Sequence, residues 1–507
     1  MIKVLSTKAI RDADQYTIEH EPISSLNLME RAAGRAYDRL EEIFQLKQKK
    51  HKFVVICGSG NNGGDGLVIA GKLLEAGHEV VLYMLHSSRP FAEELQENLN
   101  RLSIAPIFLT EEEHRLDLDG DAVLIDALFG TGLSRVVEGV AGEVIGQINQ
   151  HAGQVVSVDL PSGLFADEGI LEKNQMAVKA TYTLSFQSPK RSFFFPESYP
   201  YVGQWELIPI GLDQNFIDAV DCDSFLLTAN DVGNIIKPRN PFSHKGDFGH
   251  SYLMVGSKGK MGAAVMAAKA CLRSGTGLLT LQLPQCGLQV LQTTVPEAMV
   301  SVDENPNCLS ELKIEPVNYT IGIGPGIGTD TPTKNLMKLL IQQNRHPMVI
   351  DADGINILAE NSTWISFLPV HSILTPHFGE FQRLVGKWSS AEERMQKLRD
   401  FVSKYQLYVV LKGKYSVIAC PDGKVFFNNS GNPGMAKGGS GDALTGILTG
   451  LLAQSYSPLE ACLLGVYLHG LAGDLAANEM GQECMLPSDL IRSLSPAFAR
   501  LKTNRSE

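Results

Sequence analysis

No two of the eight cysteines form a CxxC pair. Thiols scattered in this way do not build a zinc ribbon or a disulfide framework, and they suit a reducing compartment. Positive charge is also in short supply. Lys and Arg number 44 against 56 Asp and Glu, for a net charge of −12. That balance argues against broad binding to nucleic acid or to a membrane surface. No uninterrupted apolar run is long enough to span a bilayer. The start, Met1 to Asp12, has no long apolar core of the kind a signal peptide carries, so a cytoplasmic location is expected.

What is present is a globular composition, 44% hydrophobic and 20% charged over 507 residues. That length exceeds one ordinary domain, so two or three are expected. The most telling stretch is Asn429 to Gly446. Its glycines give way abruptly to Ala443, Leu444, Ile447, Leu448, Leu451 and Leu452 at helical spacing. A glycine loop followed by a buried helix puts unpaired N–H groups where an anion can approach. Asp442 stands at that helix start, where the ionised form is favoured. It reads either as a helix cap or as a base that takes a proton from a substrate hydroxyl; the density of Gly438-Gly-Ser-Gly-Asp442 after Lys437 favours the base.

In the first half, Lys52–Cys57 reads as a buried strand, Gly58–Gly66 as a glycine loop, Leu67–Leu74 as a helix and Glu79–Met84 as a second strand. This is the βαβ unit of a doubly wound sheet, which binds ligands at the C-terminal ends of its strands. Two further strands, Ala122–Asp126 and Gln154–Asp159, each end on an aspartate before a glycine turn. Asn62, Asp126 and Ser162 are thereby candidates to converge as hard oxygen ligands for a cation. The plainer alternative is that the aspartates cap helices.

Gly60-Asn-Asn-Gly-Gly-Asp-Gly66, Gly130-Thr-Gly132 and Val158-Asp-Leu-Pro-Ser-Gly163 resemble the NAD(P)H-hydrate epimerase domain, over residues 1–215. The resemblance implies a Rossmann-like three-layer α/β sandwich. It places the hydrated dinucleotide on Asn61, Asn62, Gly63, Gly64 and Asp65, on Gly130, Thr131, Gly132, Leu133, Ser134, Arg135 and Val136, and on Asp159. Potassium (K+) falls to Asn62, Asp126 and Ser162, and acid–base work at the epimerised carbon to Asp159. Lys190 is a further candidate for that work, with a solvated surface lysine as its alternative.

The pattern loosens through Asp213–Ser224, where the domain boundary is expected. Beyond it, strand patterns at Ser251–Gly256, Gly277–Gln282, Tyr319–Gly322, Pro347–Asp353, Ser372–Thr375 and Tyr408–Lys412 alternate with helices and loops. His377 reads as a loop ligand contact, with a core histidine as its rival. Lys412-Gly-Lys-Tyr-Ser416 has the spacing of a phosphate contact. Residues 223–501 resemble the ribokinase-like NAD(P)H-hydrate dehydratase, through Ser274–Thr280, Gly322-Ile-Gly-Pro-Gly326, Asp351-Ala-Asp353, Thr375-Pro-His377, Lys412-Gly413 and Gly438–Asp442. Lys260-Met261 and Phe378 depart from the family pattern.

Both halves in one chain resemble the bifunctional repair family. The substrates it implies are NADHX and NADPHX, the hydrates of NADH and NADPH. Hydroxide is a poor leaving group, so phosphorylation of the ring hydroxyl and loss of phosphate is the implied route. ADP is the implied donor and Mg2+ would bridge its phosphates. Asp442 would be the base, with Ala263, Gly326, His377 and Asp442 on the hydrate. Lys412, Gly413, Lys414, Tyr415, Ser416 and Gly441 would hold the nucleotide. The partners expected are these small molecules and further copies of the chain in a homo-oligomer. The rival reading is a small-molecule kinase fused to a Rossmann-like dehydrogenase or non-catalytic binding module.

Overall fold

The structure is a computed structural model that describes residues 1–87, 90–171 and 175–503. The chain divides into two compact units. One is Lys3–Cys222 with Ser390–Glu392; the other is Met1–Ile2, Asp223–Ser389 and the chain from Glu393 onward. The stretch after Asp213 is more regular than its sequence suggests. The Asp213 side chain caps the helix Gln214–Ala219, and Ser224–Leu226 is already a strand of the second unit.

The first unit is built on seven parallel strands in the order Ile107–Leu109, Glu79–Leu85, Lys52–Cys57, Val123–Ala127, Val155–Val158, Tyr182–Phe186 and Gln204–Ile208. Side chains alternate between its faces. Phe53, Val55 and Cys57 pack with the helices Ser25–Phe44 and Asn61–Glu75. Val54, Ile56 and Leu124 pack on the other side with Val144, Ile145 and Ile148 of the helix Gly139–Ile148. Two cores on two faces make three layers.

The helix after Cys57 begins at Asn61, not at Leu67 as the glycines suggest. The glycines are there for close packing. A Cβ on Gly63 would lie 2.0 Å from the Gly58 carbonyl oxygen, and one on Gly66 would meet Ala127 and Cys57 at 2.6 and 2.7 Å. The helix must press onto the sheet and its own preceding turn, and only glycine allows it.

The second unit carries an 11-stranded sheet. Its parallel run reads Tyr408–Leu411, Ile373–Leu374, Val349–Ile350, Thr320–Ile323, His250–Met254, Leu278–Leu283 and Met299–Val302. Tyr252, Leu253 and Met254 are all buried, as expected of a parallel sheet covered on both faces. Beyond Tyr408–Leu411 the sheet turns antiparallel through Val417–Ala419 and Val425–Phe427. That hairpin breaks the strand–helix alternation expected from the sequence; Asp422-Gly423 between two apolar runs was its signal. The helix Pro458–Met480 is long and apolar enough to cross a membrane by length and composition. In the fold, residues from Ala461 to Ala476 of this helix join the buried core with the helices Ser440–Ala453 and Pro487–Thr503.

Candidate active sites

In the first unit the C-terminal strand ends open onto a cavity of about 650 Å³. Asp159 lies just past the end of Val155–Val158 with φ of 64°, a left-handed conformation that costs a non-glycine residue roughly 1–3 kcal/mol. Its Oδ1 accepts hydrogen bonds from the Phe186 N–H at 3.0 Å and from Lys190 Nζ at 2.8 Å. Lys190 is 1% exposed, and its ammonium also donates to the carbonyls of Phe186 and Ser188. It is therefore the buried partner of Asp159 and not a solvated surface lysine.

Two more carboxyls line the same cavity. Asp14 comes from the helix Thr7–His20 and Asp65 from Asn61–Glu75. Burial, reinforced by the charge of Asp159, pushes Asp14 up to about 6 against the pull of Lys190. Burial and the charges of Asp159 and Asp14 push Asp65 well above the usual carboxylate range. Asn61, Asn62 and the run Gly130 to Arg135 also line the cavity, whereas Gly63, Gly64 and Val136 are not among its lining residues. Gly64 instead packs on Met29, whose sulfur a Cβ would meet at 2.5 Å.

Behind this wall Asp126 is fully buried within its strand. Its carboxylate accepts from Ser157 Oγ at 2.7 Å, from the Ser162 N–H at 2.9 Å and hydroxyl, and from the Leu128 N–H. Burial still holds it above the usual range, and no basic side chain pairs with it among the described residues. Nearby, Asn62 abuts Gly130, and its Nδ2 has no partner. Turning that amide presents an oxygen in place of the unpartnered nitrogen. A buried carboxylate without a cation, beside hydroxyl and amide oxygens, is a donor set that fits a hard cation.

The second site sits at the C-terminal edge of the second sheet, and a chain of close contacts holds it together. Gly326 abuts Ala263, so that a Cβ would lie 3.1 Å from the Ala263 Cβ. Lys260 reaches Asp353 at 3.2 Å, which also accepts from the Gly328 N–H. Asp351, 1% exposed, pairs with Lys412 at 2.8 Å and accepts from Thr445 Oγ1 at 2.8 Å. A Cβ on Gly441 would stand 3.4 Å from Lys412 Nζ. Between the two aspartates Ala352 is held at φ 48° and ψ −119°. Such backbone strain clusters where geometry is functionally constrained.

Gly439, at φ 106°, precedes the helix Ser440–Ala453 and offers no side-chain cap. Asp442 is the third residue of that helix and not its cap. Burial, then the charge of Asp351 and more weakly that of Asp353, push it up to about 6 against the pull of Lys412. This outweighs the preference of a helix start for the ionised form. The loop before it is tied down from outside. Asp474 accepts from the Gly431 N–H and Asn432 Nδ2, and Lys437 Nζ donates to the carbonyls of Glu483 and Met485. Burial holds His469 at about 4, hence neutral, and its Nε2–H donates to the Ser440 carbonyl at 2.9 Å.

Some residues stand in roles the sequence did not suggest. Lys412 is engaged by Asp351 and lies 4.0 Å from Glu380, so it is not free for phosphate alone. The Ser416 hydroxyl donates to the Gly413 carbonyl, and Lys414 donates to the Gly431 carbonyl. His377 is no core histidine. Half exposed, it caps the helix Phe378–Val385 by accepting from the Gly379 and Glu380 N–H groups. Asp14 and His469 carried no signal in the sequence, because only the fold brings them to their sites.

Two family models match the chain. One, described as YjeF-related protein N-terminus, covers residues 25–192; the other, described as NAD(P)H-hydrate dehydratase, covers residues 252–496. The bifunctional NAD(P)H-hydrate repair enzyme of Moorella thermoacetica is 37% identical, over 96% of this chain and 95% of its own. That of Escherichia coli is 32% identical, over 96% and 92%. An ADP/ATP-dependent NAD(P)H-hydrate dehydratase of Bacillus subtilis, crystallised with ATP and magnesium, is 28% identical and covers 55% of this chain and 98% of its own, with a TM-score of 0.48. At such identity over nearly the whole length, the chain belongs to the family of bifunctional NAD(P)H-hydrate repair enzymes.

Proposed function

We propose that the first unit interconverts the R and S hydrates of NADH and NADPH, and that the second dehydrates the S hydrate with ADP, giving NAD(P)H, AMP and phosphate. Residues 1–215 and 223–501 are the working boundaries of the two activities. The observation that carries the reading is Asp442. It stands in the first turn of a helix behind a glycine loop, with a carboxyl tuned to about 6. A base of that strength suits removal of a hydroxyl proton at neutral pH. The free N–H groups of the helix start suit charge on a transferred phosphoryl group. Asp351, held by Lys412 and Thr445, is one of the causes that raise Asp442.

Asp351, Asp353, Glu380 and Asp442 outnumber Lys260 and Lys412 at this edge, a surplus that fits magnesium arriving with the nucleotide. Bound there, the metal would neutralise phosphate charge. In the first unit Asn62, Asp126 and Ser162 would hold potassium. Asp126→Ala should then weaken epimerisation and its response to added K+, while dehydration of the S hydrate stays intact. Loss of both activities together would contradict that assignment.

The test is the full chain mixed with purified R or S hydrate, with and without ADP, followed by NADH absorbance and free phosphate. Nucleotide-dependent NADH from both epimers, with phosphate released in step, is expected. A stable phosphorylated coenzyme would instead make the second unit a kinase.

A further inference from the structure

We propose that Asp14 is the general acid of the first unit, expelling the hydroxyl while Asp159 serves as the opposing base. The proposal rests on reading that unit as the hydrate epimerase. The lone pair of the dihydronicotinamide nitrogen makes the adjoining double bond an enamine. Such a bond takes a proton on its far carbon and water on the carbon next to nitrogen. The hydrate is thus a hemiaminal, and its epimers differ at that carbon.

Inverting the centre requires the C–O bond to break. The leaving hydroxyl takes a proton and departs as water, while the nitrogen lone pair forms the C=N bond of an iminium ion. Water then adds to the opposite face, the C=N pair returns to nitrogen, and the added water gives up a proton. One turnover moves a proton from the acid to the base, and exchange with cavity water resets the pair. The site must therefore offer a carboxyl that holds its proton, a carboxylate that accepts one, and negative charge for the cationic intermediate.

The first unit's cavity meets these requirements. Asp159 is ion-paired with Lys190 and oriented by the Phe186 N–H. Asp14 lines the same cavity from the helix Thr7–His20, with no hydrogen bond to protein among the described residues. The charged groups lining the cavity around it are Arg11 on its own helix, Asp65 on Asn61–Glu75, Arg135 in the loop after Val123–Ala127, and Asp159 and Lys190 at the strand ends. Desolvation and Asp159 tune Asp14 to about 6, so it can both give and regain a proton near neutrality. Asp65 is pushed well above the usual carboxylate range by burial and by the charges of Asp159 and Asp14.

The experiment uses the full chain and purified hydrate epimers, with the uncatalysed rate subtracted. Asp14→Asn should lower the epimerisation kcat by ~10² or more, with KM changed only a few-fold. Dehydration of the S hydrate by the same preparation should be unchanged. The wild-type kcat should fall as pH rises through about 6, where Asp14 loses its proton, and that limb should vanish in Asp14→Asn. A variant within about threefold of wild type, or one that keeps the limb, overturns the proposal. Should the variant fold poorly, the wild-type profile decides alone: a flat kcat between about pH 5 and 8 rejects Asp14 as the acid. A wild-type chain that epimerises nothing would instead refute the reading of the first unit.

Discussion

The two sites solve one electrostatic problem in the same way and then diverge. Each sits at the C-terminal edge of a parallel sheet, has a lysine paired with a carboxylate at a strand end, and leaves a second carboxyl on a helix without its own cation. Lys190 with Asp159 and Lys412 with Asp351 are the pairs; Asp14 and Asp442 are the carboxyls left at about 6. A left-handed residue marks each pair, Asp159 itself in the first and Ala352 beside Asp351 in the second. The difference is what surrounds the tuned carboxyl. Asp442 has a glycine loop and an uncapped helix start, which favour phosphate. Asp14 has three neighbouring acid–base groups, Asp65, Asp159 and Lys190, and lies mid-helix with no helix start of its own to attract phosphate. Proton traffic alone suits the first site, and phosphoryl transfer suits the second.

The pairs should differ in what they contribute to stability. Lys190 is sealed at 1% exposure, so Lys190→Met strands the Asp159 charge and should destabilise the first unit by about 3–5 kcal/mol. The Lys412 side chain is 24% exposed, and Lys412→Met should cost about 1–3 kcal/mol in the second unit. Denaturant unfolding, read with residue-specific probes in each unit, measures both. Equal costs would remove the distinction between a sealed and a partly exposed lysine.

Both tuned carboxyls should oppose stability at neutral pH. Each binds its proton more tightly folded than unfolded, so the cost is absent below the unfolded value of 3.8 and complete above about 6. Asp14→Asn and Asp442→Asn should therefore each stabilise the protein by about 1–2 kcal/mol at pH 8, after discounting for solvent screening, and by almost nothing at pH 4. Destabilisation at pH 8 would mean that the carboxyls are structural. The smallest effect belongs to Ala352→Gly. Relief of the strained backbone should gain ~1 kcal/mol in melting experiments, offset in part by a freer unfolded chain.

The sequence shows the strand-end signals well. Asp126 and Asp159 each end an apolar run before a glycine turn and Asp442 opens one after a glycine loop, and the structure places the first two at the ends of their strands and the third at a helix start. It does not show pairings made across the fold. Asp351 and Lys412 are 61 residues apart and meet only because their strands lie in one sheet. Asp14 belongs to an amphipathic helix in which nothing local distinguishes it from Asp12. Glycine has two uses, close packing and ligand approach, which look alike in sequence; hence Asn61–Gly66 reads as a loop and folds as helix.

The most direct measurement follows a single preparation of Asp442→Asn given pure R hydrate and ADP. The amide keeps the size of the carboxyl but cannot take the hydroxyl proton. R should convert to S at the wild-type rate, while NADH regeneration falls by ~10²–10⁴ and ADP still binds. Near-normal regeneration, or epimerisation lost along with it, would contradict two separately tuned sites in one chain.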